Sequence, residues 1–553
     1  MKTSSFPILT VIVFLPIAGA LLCALLPGDT PEPIARRLGL AFALAELGFV
    51  IYLVVDFPVG QAGFQFLSTQ SWIGTFGIEW RVGVDGISLF LVAMTALLFP
   101  VAMAGPTVRS NNRAYMGWML LLEAVCMGTF LAMDVFLFFL LFELSLVPAY
   151  FLVAGWGGPR RNYAAMKFFI YTFAGSAFLF VAMLSLVFLT SPLNGGHQTF
   201  DLITLTRLAP KLPINDQVLI FSGFAVAFAV KIPLVPLHSW LPDTYTEAST
   251  GGSMILAGIL FKLGAYGLLR FGVFMLPRGA ADMAPTLLTL AAIGITYGAV
   301  VTIMQRDLKR LVAYATIVDV GFIVLGIFAF SQQGVSGGVM EMVNHGLTTG
   351  AIFLLAGMLW ERRGTLRFRD LGGIQRSAPV LAAVFLIVVL SAIGLPGLNG
   401  FVGEFLVLVG TFITHRWWAV VATTAIITGA IYLLWAYQRV FHGPATGENT
   451  AVADMSWREL AAVTPLLAGI LFLGIYPKPF FDRVNPSVDH LLTHVQTAAP
   501  QVHVPAEGRP QVIYLVPANQ SVDPSARTAA SVTSGGGSAA GSSAASGAGG
   551  DGR

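Results

Sequence analysis

Long apolar runs separated by short polar loops dominate the hydrophobic pattern of this chain. A membrane-spanning helix needs about 20 predominantly apolar residues. Runs of about that length lie near 6–27, 36–56, 84–104, 114–132, 134–154, 164–190, 217–240, 253–276, 284–304, 311–330, 335–360, 378–410, 417–438 and 459–476. The pattern therefore predicts an all-α polytopic membrane protein with about fourteen transmembrane helices.

Two of these runs are interrupted at their centres. The seventh contains Pro233 and Pro236, and the twelfth contains Pro396 between glycines. Proline removes a backbone donor and breaks a helix, and non-helical backbone at membrane depth persists only where protein or water satisfies it. Broken helices at matching places in two halves of a chain indicate a transport site. The alternative is two unrelated proline kinks.

The spacing of the breaks predicts an internal repeat, because they lie five runs apart. An odd number of spans per repeat inverts the second copy relative to the first. We therefore expect two inverted five-helix repeats with discontinuous helices 7 and 12. The predicted units are three N-terminal helices (1–111), helices 4–8 (112–276), helices 9–13 (277–441), a loop with helix 14 (442–483), and a polar, largely disordered tail without a long amphipathic helix (484–553).

Lysine and arginine predict the orientation in the membrane. Loops after odd-numbered runs hold more than half of the 31 basic residues, including Arg160, Arg306 and Arg362. Basic loops face the cytoplasm. We therefore expect both termini on the non-cytoplasmic side of a multi-pass protein in the inner (plasma) membrane.

Composition supports this interpretation and excludes several function classes. The chain is 56% hydrophobic and 11% charged, whereas a soluble domain is about 25% charged. Basic residues lie in scattered loops and not in one patch, so we expect no nucleic-acid partner. Cys23 and Cys126 lie inside apolar runs without metal-ligand spacing. Nothing in the sequence predicts a nucleotide, metal or redox site in this chain.

The most informative residues are ionisable side chains inside or beside the apolar runs. A charge at mid-bilayer costs about 2.5–3.5 kcal/mol on insertion scales, and such residues typically mark ion or proton pathways. The candidates for a proton relay are Glu123, Glu143, Lys231, His238, Lys262, Asp319, Glu341, His345 and Glu404. Glu46 also lies in an apolar run, outside both repeats, and receives no role.

The candidates in the first repeat surround its helix break. Lys231 directly precedes the break, and Glu143 in the fifth run is its natural partner. A buried lysine whose carboxylate partner approaches or retreats can take up and release a proton. The alternative is a static ion pair that holds helices together. Glu123 belongs either to this network or to a helix–helix hydrogen bond, and His238 either to the network or to the exposed backbone of the break.

The second set of candidates leads from Lys262 to the twelfth run. Lys262 is mid-run and too deep to reach the interface easily. Glu341 and His345 are four residues apart and therefore share one helix face. Asp319 is mid-run without a local partner. Glu404 follows the second break and corresponds by position to Lys231, so we expect it to carry protons.

Several long motifs resemble one known family. They are KIPLVPLHSWLPDTYTEA at 231–248, LAGILFKLGAYGLLRF at 256–271, GVDGISL at 83–89, FELSLVPAY at 142–150, DLKRLVAYA at 307–315 and FVGEF at 401–405. They closely resemble the antiporter-like membrane subunits of respiratory complex I, a proton-translocating NADH–quinone oxidoreductase. The match covers most of residues 80–440.

The resemblance implies a role for each candidate. It implies fourteen helices, two inverted repeats, and a proton half-channel in each repeat. Glu143 would modulate Lys231, and protons would pass through Lys262 and His345 to Glu404. One position departs from the family, because Asp319 stands where a histidine is usual. An aspartate has an unperturbed pKa near 3.9, so this role is the least secure.

The resemblance also implies what lies outside the chain. NADH, FMN, iron–sulfur clusters and quinone would be handled by partner subunits, and this chain would hold no cofactor. Its partners would be other membrane-arm subunits, especially adjacent antiporter-like ones, and the lipid bilayer. Two alternatives remain: a subunit of a multi-subunit cation/proton antiporter, and a non-pumping structural subunit.

Overall fold

In the computed structural model, most of the described chain is helical. The structure describes residues 6–27, 30–106, 111–502 and 504–505. The helices are α1 Ile8–Leu25, α2 Glu32–Asp56, α3 Gly86–Ala104, α4 Asn112–Leu131, α5 Val135–Leu144, α6 Leu146–Trp156, α7 Arg161–Thr190, α8 Leu202–Leu208, α9 Ile214–Lys231, α10 Trp240–Glu247, α11 Thr250–Ile255, α12 Phe261–Gly267, α13 Pro277–Ile303, α14 Leu308–Phe328, α15 Gln332–Arg363, α16 Pro379–Ala392, α17 Asn399–Thr414, α18 Arg416–Phe441, α19 Trp457–Ile475 and α20 Lys478–Ala498.

The helices match the predicted membrane protein. Within the described residues, thirteen helical segments are long and apolar enough to cross a membrane. Two shorter apolar helices, α16 and α17, occupy the predicted twelfth run. The all-α polytopic membrane fold is therefore confirmed, whereas the total of fourteen spans and the inverted repeats stay predictions.

Both predicted helix breaks are present. α9 ends at Lys231 and α10 begins at Trp240, so Pro233 and Pro236 lie in the irregular segment between them. α16 ends at Ala392 and α17 begins at Asn399, with Pro396 between them. Two further irregularities were not predicted. The fifth run divides at Ser145 into α5 and α6, and the eighth contains π-helical turns at Leu256–Leu260 and Leu268–Val273.

The prediction that the polar tail begins at 484 is wrong for residues 484–498. These residues continue α20, an amphipathic helix whose Val484, Val488, Leu491 and Val495 are buried. The apolar positions recur every three or four residues among polar ones, so they form a helix face without forming an apolar run. Residues 506–553 lie outside the described part of the chain.

α20 packs against the helical body near the start of α3 and α15. The backbone N–H of Gly86 donates to Ser487 Oγ at 3.0 Å, and Ser336 Oγ donates to Asn485 Oδ1 at 2.8 Å. Beside it lies a feature that the all-α prediction missed, an antiparallel hairpin of β1 (Gln65–Ile73) and β2 (Ile78–Val84).

Candidate functional site

Lys231 ends α9 and lies against the bend in the fifth span. It is 2% exposed, and its ammonium donates to Ser145 Oγ at 3.1 Å. The Nζ atom also lies 4.7 Å from the centroid of the Phe142 ring. Ser145 follows the last turn of α5, and the bend there turns its hydroxyl toward α9. We name Lys231, Ser145 and Glu143 the Lys231 cluster.

The expected direct pairing of Glu143 with Lys231 is not formed. Among the described residues, no carboxylate oxygen lies within 4 Å of the Lys231 ammonium. Glu143 still interacts with Lys231 electrostatically at longer range, and its Oε1 is buried without a hydrogen-bond partner. Lys231 and Glu143 are therefore separated, and the Lys231 ammonium contacts the hydroxyl of Ser145 instead.

Two further candidates, His238 and Glu123, lie on other elements and outside this cluster. His238 lies in the irregular segment after Lys231, and its Nε2 is 3.3 Å from the hydroxyl of Tyr297 on α13. This contact joins the irregular segment after α9 to α13. Glu123 is completely buried in α4, and neither of its oxygens has a hydrogen-bond partner among the described residues.

A second group of polar residues begins at Lys262 on α12. The Lys262 ammonium is fully buried and contacts the carbonyl of Ala257 and Nδ1 of His345, each at 2.7 Å. Ala257 belongs to the π-helical turn that precedes α12. A π-helical turn leaves carbonyl groups outside the regular α-helical ladder, and such turns occur frequently at functional sites. The turn thus supplies one of the two contacts that hold this buried lysine.

His345 links Lys262 to Asp319. Its Nε2 lies 3.3 Å from Oδ2 of Asp319 and 3.3 Å from the hydroxyl of Thr349. An ammonium group only donates, so His345 Nδ1 accepts when Lys262 is protonated. The neutral ring then carries its proton on Nε2, facing Asp319. Asp319, which showed no local partner in the sequence, is therefore in direct contact with a predicted relay residue.

Three carboxylates from three helices complete this group. Asp319 on α14, Glu341 on α15 and Glu404 on α17 each place one oxygen within 4.8 Å of the others. Glu341 is 4% exposed, and its Oε2 lacks a hydrogen-bond partner among the described residues. Oxygen ligands at this spacing suit a hard cation. Here, however, Lys262 supplies positive charge and His345 supplies an exchangeable proton beside the carboxylates, so we interpret the three carboxylates as proton acceptors. We name Lys262, His345, Asp319, Glu341 and Glu404 the Lys262 cluster.

The second helix break is held by side chains of α15. Asn344 Nδ2 donates to the carbonyl of Asn399 at 2.6 Å, and Thr348 Oγ1 lies 3.0 Å from Ser391 Oγ. The hydroxyl of Ser391 in turn donates to Asn399 Oδ1 at 2.5 Å. These contacts join the two halves of the broken helix to the helix that carries Glu341 and His345, and they fix where Glu404 lies.

The two clusters meet where α12 packs against the end of α9. A Cβ atom at Gly264 would lie 3.1 Å from the Cβ of Lys231, so the missing side chain permits close helix contact. Lys262 is two residues earlier on the same helix. The structure thus brings seven of the nine candidates into two adjacent groups, whereas His238 contacts Tyr297 and Glu123 interacts with Glu46.

Outside the membrane spans, Asp134 has a structural role as the N-cap of α5. It precedes α5 and accepts backbone hydrogen bonds from Phe136 and Leu137, each at 2.9 Å. It also accepts one from the N–H of Glu79 on β2 at 3.1 Å. Burial raises the pKa of Asp134 to about 6, and the three backbone donors oppose that rise. Asp134 therefore joins the hairpin to the start of α5.

Sequence reasoning missed one buried ion pair and assigned no role to one buried glutamate. Arg270 forms an ion pair with Asp85, and both side chains are 3% exposed. The pair joins the π-helical turn at Leu268–Val273 to the N-cap of α3. Arg270 is an ionisable residue inside an apolar run, so the criterion used for the other candidates would have identified it. The second feature is Glu46, which is fully buried beside Glu123.

Comparison with known proteins places these residues in a family. Residues 132–428 match the family described as NADH:quinone oxidoreductase/Mrp antiporter, transmembrane. The chain is 38% identical to NADH-quinone oxidoreductase subunit M of Rhodobacter capsulatus, with 88% of this chain and 96% of that protein covered. It is 36% identical to subunit M of Mycobacterium tuberculosis, with 93% and 98% covered.

Solved structures give the same picture. A chain of respiratory complex I from Thermus thermophilus matches with a TM-score of 0.81 and 32% identity, covering 88% of this chain and 99% of that one. A chain of the Mrp complex from Dietzia matches with a TM-score of 0.74 and 21% identity, covering 89% and 55%, which shows a common fold only. The chain therefore belongs to the NADH:quinone oxidoreductase/Mrp antiporter family of membrane subunits.

Proposed function

We propose that this chain carries protons across the inner (plasma) membrane as a membrane-arm subunit of an NADH–quinone oxidoreductase. The observation that carries the proposal is the contact sequence Lys262–His345–Asp319, which leads to Glu341 and Glu404. Each contact joins a proton donor to an acceptor in the protein interior. A non-pumping structural subunit would have no evident use for so many buried ionisable groups, since each is costly at membrane depth.

Lys231 is the proposed proton carrier of the first repeat. Its present contact is a serine hydroxyl, which stabilises an ammonium less than a carboxylate does. Approach of Glu143 would favour the charged lysine, and retreat would favour release of its proton toward Lys262. The tight packing of α12 on Lys231 gives the route between the two clusters.

The energy for transport must come from partner subunits. Moving one charge against 100 mV costs about 2.3 kcal/mol. We propose that NADH, FMN, iron–sulfur clusters and quinone are held by those partners, as the resemblance implies. The subunits adjacent in the membrane would be other antiporter-like ones, which extend the line of buried charges. By the distribution of basic loops, both termini of this chain would lie on the non-cytoplasmic side.

The deciding experiment replaces Lys231 with alanine in the assembled complex. We expect Lys231→Ala to lower NADH-driven proton uptake into inverted membrane vesicles by about tenfold or more, since proton-transfer groups typically contribute at least that much. Lys211→Ala is the matched control, because Lys211 is an exposed lysine in a short turn before α9. It should leave uptake unchanged.

Two other outcomes would favour the alternatives. An assembled Lys231→Ala complex with normal NADH oxidation and normal proton uptake would favour a structural subunit. Proton exchange that requires sodium and does not respond to NADH would favour a cation/proton antiporter.

A further inference from the structure

Two glutamates outside the two clusters face each other in the N-terminal part of the protein. Glu46 on α2 and Glu123 on α4 are each 0% exposed. Their carboxyl groups interact with each other, yet none of their four oxygens has a well-formed hydrogen bond to any described residue. Buried polar groups in proteins are usually hydrogen-bonded. Two adjacent carboxyl groups without such partners therefore require an explanation.

The register of α2 against α4 brings Glu46 and Glu123 together. α2 and α4 run parallel, because successive spans alternate in direction. A Cβ at Gly39 would lie 3.0 Å from the Cβ of Met116, so the two helices are in contact there. Seven residues later, which is about two helical turns, each helix presents the same face again. Those positions are Glu46 and Glu123.

The surroundings of the pair supply no positive charge in direct contact. Among the described ion pairs, none involves Glu46 or Glu123 with a lysine, arginine or histidine. Two carboxylates in contact repel each other and cannot both remain ionised without compensation. The arrangement therefore suits one proton shared between two carboxyl groups, or two neutral acids.

The pair also lies within electrostatic reach of the Lys231 cluster. Cys126 is three residues after Glu123 on α4, about one turn further along. Its thiol interacts electrostatically with Glu46, Glu123 and Lys231. Lys231 and the glutamate pair therefore share Cys126 as a common neighbour, and a charge on Lys231 acts on the pair across the low-dielectric interior between them.

We infer that Glu46 and Glu123 form a proton-binding site that exchanges a proton when Lys231 changes charge, which extends the relay into the N-terminal helices. When Lys231 releases its proton, the carboxyl pair is better able to hold one. When Lys231 becomes charged, the pair releases its proton and gains a negative charge. This inference rests on the proposed function, because it takes Lys231 to be a group that changes charge.

The test uses Glu46→Gln and Glu123→Gln in the purified, assembled complex. Glutamine keeps the size and hydrogen-bonding capacity of the side chain but cannot exchange a proton. We expect each variant to lose a carboxyl C=O band from NADH-induced infrared difference spectra and part of the protons taken up per NADH oxidised. Glu32→Gln is the control, because Glu32 is an exposed glutamate in the first turn of the same α2.

Three results decide the matter. An assembled Gln variant with an unchanged band and unchanged uptake per NADH would overturn the inference and leave a helix–helix contact. If a Gln variant fails to assemble, Glu123→Asp is measured instead, because aspartate keeps a carboxyl group that can exchange a proton. An assembled Glu123→Asp complex that lacks the carboxyl infrared band would also overturn the inference. Normal pumping in Lys231→Ala would instead refute the proposed function, whatever the glutamate variants do.

Discussion

At the scale of single residues, Asp319 connects a histidine to two other acids. It lies on α14, between His345 on one side and Glu341 and Glu404 on the other. Family resemblance leads one to expect a histidine here. A carboxylate can occupy the same place because it accepts a hydrogen bond from the Nε2–H of His345 and lies beside the neighbouring carboxylates. An aspartate in place of the usual histidine therefore changes the chemical group at this position but keeps the contacts with His345 and the two glutamates.

Replacing Asp319 tests whether it carries protons. We expect Asp319→Asn to slow NADH-driven proton uptake by about one to two orders of magnitude, within the range of general acid–base groups. Asparagine preserves the shape of the side chain and cannot be protonated. Asp282→Asn is the control, since Asp282 is exposed on α13. Equal uptake in the two variants, measured in inverted vesicles at matched complex content, would remove Asp319 from the relay.

The sequence was sufficient to choose the relay candidates, because buried charges are conspicuous in apolar runs. It was insufficient to pair them. Asp319 and His345 are on different helices, and no local pattern relates residues that are brought together by helix packing. Ser145 was missed for a different reason: a serine in a span is common, and only the bend between α5 and α6 directs its hydroxyl to Lys231.

At the scale of elements, the irregular segment between α16 and α17 positions Glu404. Gly394 and Gly397 have φ of +77° and +95°, a region that residues with side chains rarely adopt. A Cβ at Gly394 would lie 2.7 Å from Oε2 of Glu404, whereas a Cβ at Gly397 would meet nothing within 4 Å. Both positions therefore favour glycine because of their positive φ, but only a side chain at position 394 would contact the Glu404 carboxylate.

This difference gives a matched pair of variants. Gly394→Ala and Gly397→Ala should both strain the backbone, by about 1–2 kcal/mol for a left-handed residue. Only Gly394→Ala should also displace the Glu404 carboxylate, and we expect only this variant to lower protons taken up per NADH oxidised. The comparison is made on complexes that assemble to a similar extent. Equal losses in both variants would indicate that the break tolerates no strain and that the carboxylate contact is irrelevant.

Elements were predictable to the extent that their cause was local. Apolar length predicted the spans, and Pro233, Pro236 and Pro396 predicted the breaks. α20 and the β-hairpin were not predicted, because α20 is amphipathic and the hairpin strands are short. α20 packs on α3 and α15, and the hairpin is held to the start of α5. Their sequences carry no long apolar run. A search for one helical face would have found α20.

At the scale of the whole molecule, buried charges form a line from the N-terminal helices to the second break. The line passes from Glu46 and Glu123 to Lys231, then to Lys262 and the carboxylates around Glu404. Acidic groups lie at both ends of this line and the two lysines lie at its centre, so a charge change at one group alters the proton affinity of the next. Such a line can be driven from either end by a neighbouring subunit.

The direction of transport depends on which face of the molecule is cytoplasmic. Gln375 lies between α15 and α16, in a loop after an odd-numbered span, and Gln198 lies between α7 and α8, after an even-numbered one. Both side chains are exposed, while the native Cys23 and Cys126 are fully buried. Cysteine introduced at either position should therefore report on its own side of the membrane. Basic loops predict that position 375 is cytoplasmic and position 198 is not.

The measurement is labelling with a membrane-impermeant maleimide. We expect Gln375→Cys to react in inverted vesicles and stay unlabelled in intact spheroplasts, and Gln198→Cys to react in the opposite way. Lysed membranes provide the control for both, because each cysteine must then be accessible. The reverse pattern would invert the whole molecule and place the Arg160, Arg306 and Arg362 loops outside. The contacts of the proposed relay would be unchanged, but Lys231 and Glu404 would each take up protons from the opposite side of the membrane.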